Sequence, residues 1–145
     1  MVPAAFVAEL VQVVGADYVR TDEESLARYG QDGLKRGHRA DVVVIPGSTS
    51  EVAAVAEACN ARRVPLVVRG GGTGYSGGSV PLHGGVTLSM ERFNRILEID
   101  EQNLLVVTEP NVITGVLQEA VERVGLFYPP DPASLAESVI GGNIA

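Results

Sequence analysis

Arg69-Gly-Gly-Gly-Thr73-Gly-Tyr75-Ser76-Gly-Gly-Ser79-Val-Pro81 follows directly on the apolar run Val64 to Val68, and its reading decides the rest of the chain. Glycine fills positions 70, 71, 72, 74, 77 and 78, and most other positions carry small or hydroxylated side chains. With no Cβ in the way, such a backbone turns sharply and brings several N–H groups close to one anion. Placed after a strand, it reads as a cradle for a diphosphate. Gly72-Thr-Gly74-Tyr-Ser-Gly77 also matches the dinucleotide pattern G-x-G-x-x-G. That pattern works through a helix opening at its third glycine. Here Gly78, Pro81, Gly84 and Gly85 forbid such a helix, so a Rossmann site is excluded. The Walker pattern fails as well, because no Gly-Lys-Ser/Thr follows. A merely flexible surface loop is the weaker alternative, since ordering so many glycines at the end of a buried strand is entropically expensive.

Upstream, Val42-Val-Val-Ile45 is a short β-branched strand closed by Pro46-Gly47. Ser48 with Glu51 three positions later is a capping box. Val52, Val55, Ala56 and Cys59 then share one face of a helix ending near Arg62-Arg63, and Leu66 to Val68 is the next strand. Strand, helix and strand at this spacing predict a right-handed parallel βαβ unit with the glycine loop at its C-terminal end. Downstream, 86–89, 96–99 and 104–108 read as three short strands with tight links, with Asp100 to Asn103 as a hairpin turn. Val112, Val116, Leu117, Ala120 and Val121 predict an amphipathic helix over 112–124, stopped by Gly125. Asn111 stands where a helix cap would. Phe127-Tyr-Pro-Pro-Asp-Pro-Ala-Ser134 is a proline-fixed loop, and a second glycine pair, Gly141-Gly142-Asn143, lies close to the last residue.

Towards the N-terminus, Phe6, Val7, Leu10, Val11 and Val14 predict a helix over 4–14 with Gly15 as its stop. A short helix over 21–29 capped by Thr21 or Asp22 follows, then a polar loop over 30–40. The chain therefore divides into an N-terminal helical segment and loop, 1–40, and a larger unit, 41–145. The expected class is α+β: a small parallel βαβ subdomain, then a mixed or antiparallel α+β subdomain that is incomplete at its C-terminus.

Composition narrows the function. A net charge of −7 argues against a nucleic-acid surface. The single cysteine, Cys59, excludes a disulfide framework or a cysteine metal site and reads as a core thiol in a reducing compartment. Glu9 and Gln12 interrupt the apolar start, so neither a signal peptide nor a membrane span is expected there, and the expected location is cytoplasmic, with any membrane attachment through partners. His38 and His83 read as loop and turn residues, and no metal site is expected.

The glycine loop, Val43-Val-Ile-Pro-Gly-Ser-Thr-Ser-Glu-Val52, Tyr128-Pro-Pro-Asp-Pro-Ala-Ser134 and Ile140-Gly-Gly-Asn-Ile-Ala145 together resemble the FAD-binding domain of the vanillyl-alcohol oxidase superfamily, the p-cresol methylhydroxylase type. Within it, glycolate oxidase FAD-linked subunits and D-lactate dehydrogenases are the most similar branches. The resemblance covers residue 41 to the end. It implies that backbone N–H groups of Gly70, Gly71, Gly72, Thr73, Gly74, Tyr75 and Ser76 hold the FAD diphosphate. It implies that Pro130, Asp131 and Ser134 line the adjacent stretch of cofactor, and that Ser138, Gly141, Gly142 and Asn143 form a second wall. Some members tether the flavin to a histidine at the position of Thr73; threonine cannot form that bond, so FAD is expected to be non-covalent.

Tyr75 and Tyr128 read as packing residues. Asp131 either faces the cofactor or stabilises a turn. Arg69 either faces the phosphates or pairs with an acid. The implied activity is oxidation of a 2-hydroxy acid, with no catalytic residue assignable in this chain and the substrate-binding part expected beyond it. Two other readings stay open: a flavin-binding half completed by a partner chain, and a binding module for another nucleotide or anion without a redox role.

Overall fold

A computed structural model describes residues 1–145. Two sheets organise it. The first has four strands in the order β1-β2-β4-β3, where β1 is Val19–Arg20, β2 Val42–Val44, β3 Leu66–Arg69 and β4 Val86–Ser89. β2, β4 and β3 run parallel, and β1 closes one edge antiparallel to β2. The second is a two-stranded antiparallel ribbon of β5 (Ile96–Asp100) and β6 (Leu105–Thr108).

The expected strand–helix–strand unit is present and parallel, but its two strands are not neighbours. β4, expected beside β5 and β6, instead inserts between β2 and β3. Every residue of β2 and β4 is buried, as a central parallel strand covered on both faces requires. β1 is too short to show as a period-2 pattern, and the sequence reading missed it.

The helices follow local chemistry closely. α1 (Ala4–Val14) stops at Gly15, whose φ of 89° a side chain would resist. α2 (Glu23–Tyr29) begins where the Asp22 carboxylate accepts the Ser25 N–H. At α3 (Thr49–Arg62) the Ser48 hydroxyl accepts the Glu51 N–H, while the Glu51 carboxylate reaches back to the N–H of Gly47. The box closes one residue earlier than its usual form. α4 (Thr114–Glu122) is shorter than expected, with Val112 buried ahead of it and Val116 half exposed; Asn111 lies outside its cap, which Ile113 occupies. α5 (Ile140–Ile144) contains the second glycine pair.

Alternation along β2 and β4 divides the core. Val42, Val44, Val86 and Leu88 pack with Phe6, Leu10 and Val14 of α1 and Val55, Ala58 and Cys59 of α3. Val43 faces the other way, towards Leu26 and Tyr29 of α2 with Ala40 and Ile45. Residues 4–29 thus belong to the same core as the sheet. A separate cluster of Val112, Leu117, Val121 and Ile140 forms under the ribbon, with Ile96, Ile99, Val106 and Tyr128 against it. Tyr128 is a packing residue, as expected. No helix is long and apolar enough to cross a membrane.

Candidate functional site

The glycine loop leaves the C-terminal end of β3 and forms a wall shared by two clefts. The larger, of about 510 Å³, is lined by Gly70 to Gly74, Ser76, Ser134, Val139, Gly142 and Asn143, among others. The smaller, of about 200 Å³, lies towards residues 28–35 and shares Gly71, Gly72, Thr73 and Ser134 with it. Along the loop, no backbone N–H from Gly70 to Ser76 donates to any acceptor in the protein. Backbone donors are normally paired, and a run of free ones beside a cleft forms an anion cradle.

Contacts from behind fix the loop's path. The Gly33 N–H donates to the Gly74 carbonyl at 3.0 Å, and Met90 N–H donates to the Arg69 carbonyl at 2.9 Å. Gly71 lies so close to the Glu137 carbonyl that a Cβ could not fit between them. Arg69 forms no ion pair with an acid. Its Nη1 donates to the carbonyl oxygens of Gln31 at 2.5 Å and Tyr29 at 3.3 Å. Burial pushes its guanidinium below the usual arginine range.

The opposite wall of the larger cleft is held by a small polar network. Thr114 Oγ1, fully buried, accepts from Asn143 Nδ2 at 2.6 Å and lies 3.1 Å from Ser138 Oγ and 3.2 Å from the Ser138 carbonyl, to which it can donate. This fixes the Asn143 carboxamide at the cleft. Ser138 itself is buried in the network and does not line the cleft. Gly141 also lies behind the wall: its N–H donates to the Pro110 carbonyl, and a Cβ would press on the Pro110 ring at 2.8 Å.

The structure therefore gathers Gly70 to Gly74, Ser76, Ser134, Gly142 and Asn143 around one cleft. Tyr75 lines the smaller one and is two-thirds exposed, not packed as expected. Pro130 and Asp131 line neither; the Pro130 carbonyl instead accepts from Gln118 Nε2 at 2.8 Å. His38 and His83 lie outside both clefts. Sequence reasoning missed Val139, which contacts the Gly70 position, and Thr114, whose hydroxyl orients Asn143. Nothing local marks either residue; only the return of the chain at 138–144 against 110–114 does.

The model of the FAD binding domain matches residues 40–145. The chain belongs to that family. Within it, the p-cresol methylhydroxylase type fits the observed α+β architecture. The chain is 42% identical to the glycolate oxidase subunit GlcD of Bacillus subtilis over 94% of its own length and 29% of that protein. It is 41% identical to the D-2-hydroxyglutarate dehydrogenase of Stutzerimonas stutzeri over 99% of its length and 31% of that protein. Among solved structures, the 4-ethylphenol oxidase of Gulosibacter chungangensis superposes with a TM-score of 0.83 at 35% identity, covering 97% of this chain and 28% of the other. The chain thus spans under a third of the length of these relatives. Its cofactor is FAD, and the free N–H run and the cleft beside it fit a group carrying a diphosphate. Position 73, where the resemblance puts the tethering histidine of some members, is threonine, consistent with non-covalent binding.

Proposed function

We propose that the chain holds the adenine-diphosphate half of FAD, and that the longer protein carrying it oxidises a 2-hydroxy acid of the glycolate, D-lactate or D-2-hydroxyglutarate kind. The observation that carries the first part is the run of unpaired N–H groups from Gly70 to Ser76 along the cleft. These donors hold the diphosphate oxygens, each bond strengthened by the anion's charge. Ser134, Gly142 and Asn143 complete the walls.

When bound, the flavin supplies the two-electron acceptor for the oxidation. This chain's own residues bind, orient and screen it; none of its side chains forms a proton-transfer set beside the cleft. The substrate class is supported by the names of the relatives, and the groups that recognise the acid belong to polypeptide beyond this chain or to a partner subunit. We place the protein in the cytoplasm, in line with its buried free thiol Cys59, with any membrane association made through partners.

Titration of the chain with FAD, followed by flavin fluorescence, tests the reading. Saturable binding is expected, displaced by ADP and not by riboflavin. Binding displaced by riboflavin alone, or none at all, overturns it. Reduction of the longer flavoprotein by D-lactate or glycolate, seen as bleaching of its visible absorbance, tests the substrate class.

A further inference from the structure

We propose that Arg69 is the counter-cation of the anion held by the glycine loop, kept under the loop by the carbonyl groups of Tyr29 and Gln31. The proposal rests on the reading of that loop as a diphosphate cradle and adds to it a charged side chain and the N-terminal segment that aims it.

Three observations carry the inference. First, Arg69 is half-buried and pairs with no carboxylate, although the chain is acidic overall. A guanidinium stays charged, so a buried one needs a counter-ion or becomes a cost to the fold. The acids in its neighbourhood are otherwise engaged or apart. Glu91 accepts from Tyr29 and Ser89, Asp32 accepts the N–H groups of Leu34 and Arg36, and Glu137, across the smaller cleft, makes no ion pair with it.

Second, only Nη1 is engaged, by the two carbonyl groups. Nη2 and Nε donate to nothing in the protein; Arg69 lines the smaller cleft and not the larger one, so its charge acts on the anion across the backbone of the loop.

Third, the guanidinium occupies the space that a side chain on residue 72 would fill. Gly72 has a φ of 68°, so both its conformation and its missing Cβ admit the cation beneath the loop. Arg28 and Lys35 line the same cleft from exposed positions, where water screens them more strongly.

The test compares ADP with adenosine, which lacks the diphosphate, by calorimetric titration of the chain and of its Arg69→Met and Arg69→Lys variants at low salt. Circular dichroism establishes that each variant is folded, and stabilisation by inorganic pyrophosphate gives a second readout. The unaltered chain is expected to prefer ADP. Arg69→Met should weaken ADP binding about ten- to hundredfold, leave adenosine unchanged and abolish stabilisation by pyrophosphate. Arg69→Lys should restore part of the preference. If Arg69→Met keeps the full preference for ADP, or weakens ADP and adenosine alike, the proposal falls while the cradle reading stands. If the unaltered chain shows no preference, the cradle reading itself fails and the proposal goes with it.

Discussion

The four-stranded sheet and the two-stranded ribbon are built from similar apolar residues, yet they end in different states. β2 and β4 are buried on both faces between helices, whereas the ribbon packs only one face on α4 and leaves Leu97, Leu105 and Val107 exposed. The two faces of the larger cleft come from these two different supports. The glycine loop extends directly from the buried sheet, while Asn143 and Gly142 stand on a short helix beside the smaller cluster. One wall is set by a core complete in this chain. The other depends on a few bonds.

The largest effect should come from damaging the complete side. Leu88 is buried in the main cluster and Leu105 is 61% exposed, so their truncations separate the two regions. Leu88→Ala is expected to cost about 2–5 kcal/mol, the transfer term plus the cavity it leaves. Leu105→Ala should stay within about 0.5 kcal/mol. Urea denaturation measures both. Equal losses would mean that the ribbon is as much a part of the core as the sheet.

The next effect sharpens the contrast at the second wall. Thr114→Val keeps the shape of the side chain but removes the hydroxyl that meets Asn143 and Ser138. Leaving the buried Ser138 hydroxyl unpaired costs about 1–3 kcal/mol. We expect the loss to show locally, as faster amide exchange over 138–144 and weaker FAD binding, with Thr114→Ser restoring both. Protection unchanged in Thr114→Val would mean that the wall stands without this network.

The contrast also decides what the sequence could disclose. α1, α2 and α3 were legible because caps and apolar periodicity are local signals, and Ser48 with Glu51 is a clear case. The glycine loop was legible because few other purposes require so many residues without a Cβ. The place of β4 was not, because Val86-Thr-Leu-Ser89 carries no mark of its neighbours; strand order is a long-range outcome. α5 was hidden for another reason. Paired glycines oppose a helix by propensity, and packing of Gly141 on Pro110 overrides it. Arg69 lay in plain view, but its partners come from the end of α2 and the turn after it, some forty residues upstream.

A smaller effect concerns pH on the complete side. Burial, then the hydrogen bond from Tyr29 to Glu91 at 2.7 Å, raises the Tyr29 hydroxyl above its ordinary value of 10.0. The folded chain therefore keeps this proton where the unfolded chain releases it. Stability from this group is whole below about pH 10 and falls as pH rises towards the folded value. Tyr29→Phe should flatten that alkaline slope in chemical denaturation across pH 9 to 11. The same slope in both proteins would assign the effect to another group.

The smallest change in stability should accompany a visible change in behaviour. β5 and β6 are both edge strands, and Leu104, Leu105 and Phe127 lie exposed around a groove of about 270 Å³ beside β6. Exposed apolar edges invite pairing between copies, and a lysine on the edge discourages it. Leu105→Lys adds a charge at a position that contributes little to the fold, so its denaturation midpoint should match the parent within about 0.5 kcal/mol. Sedimentation velocity over rising concentration should show less self-association than the parent. The matching substitution at Leu88 would unfold the chain, which is why the pair distinguishes an exposed edge from a buried core. Association unchanged by Leu105→Lys would move the adhesive surface elsewhere, with Ile144 and its neighbours on α5 the next to alter.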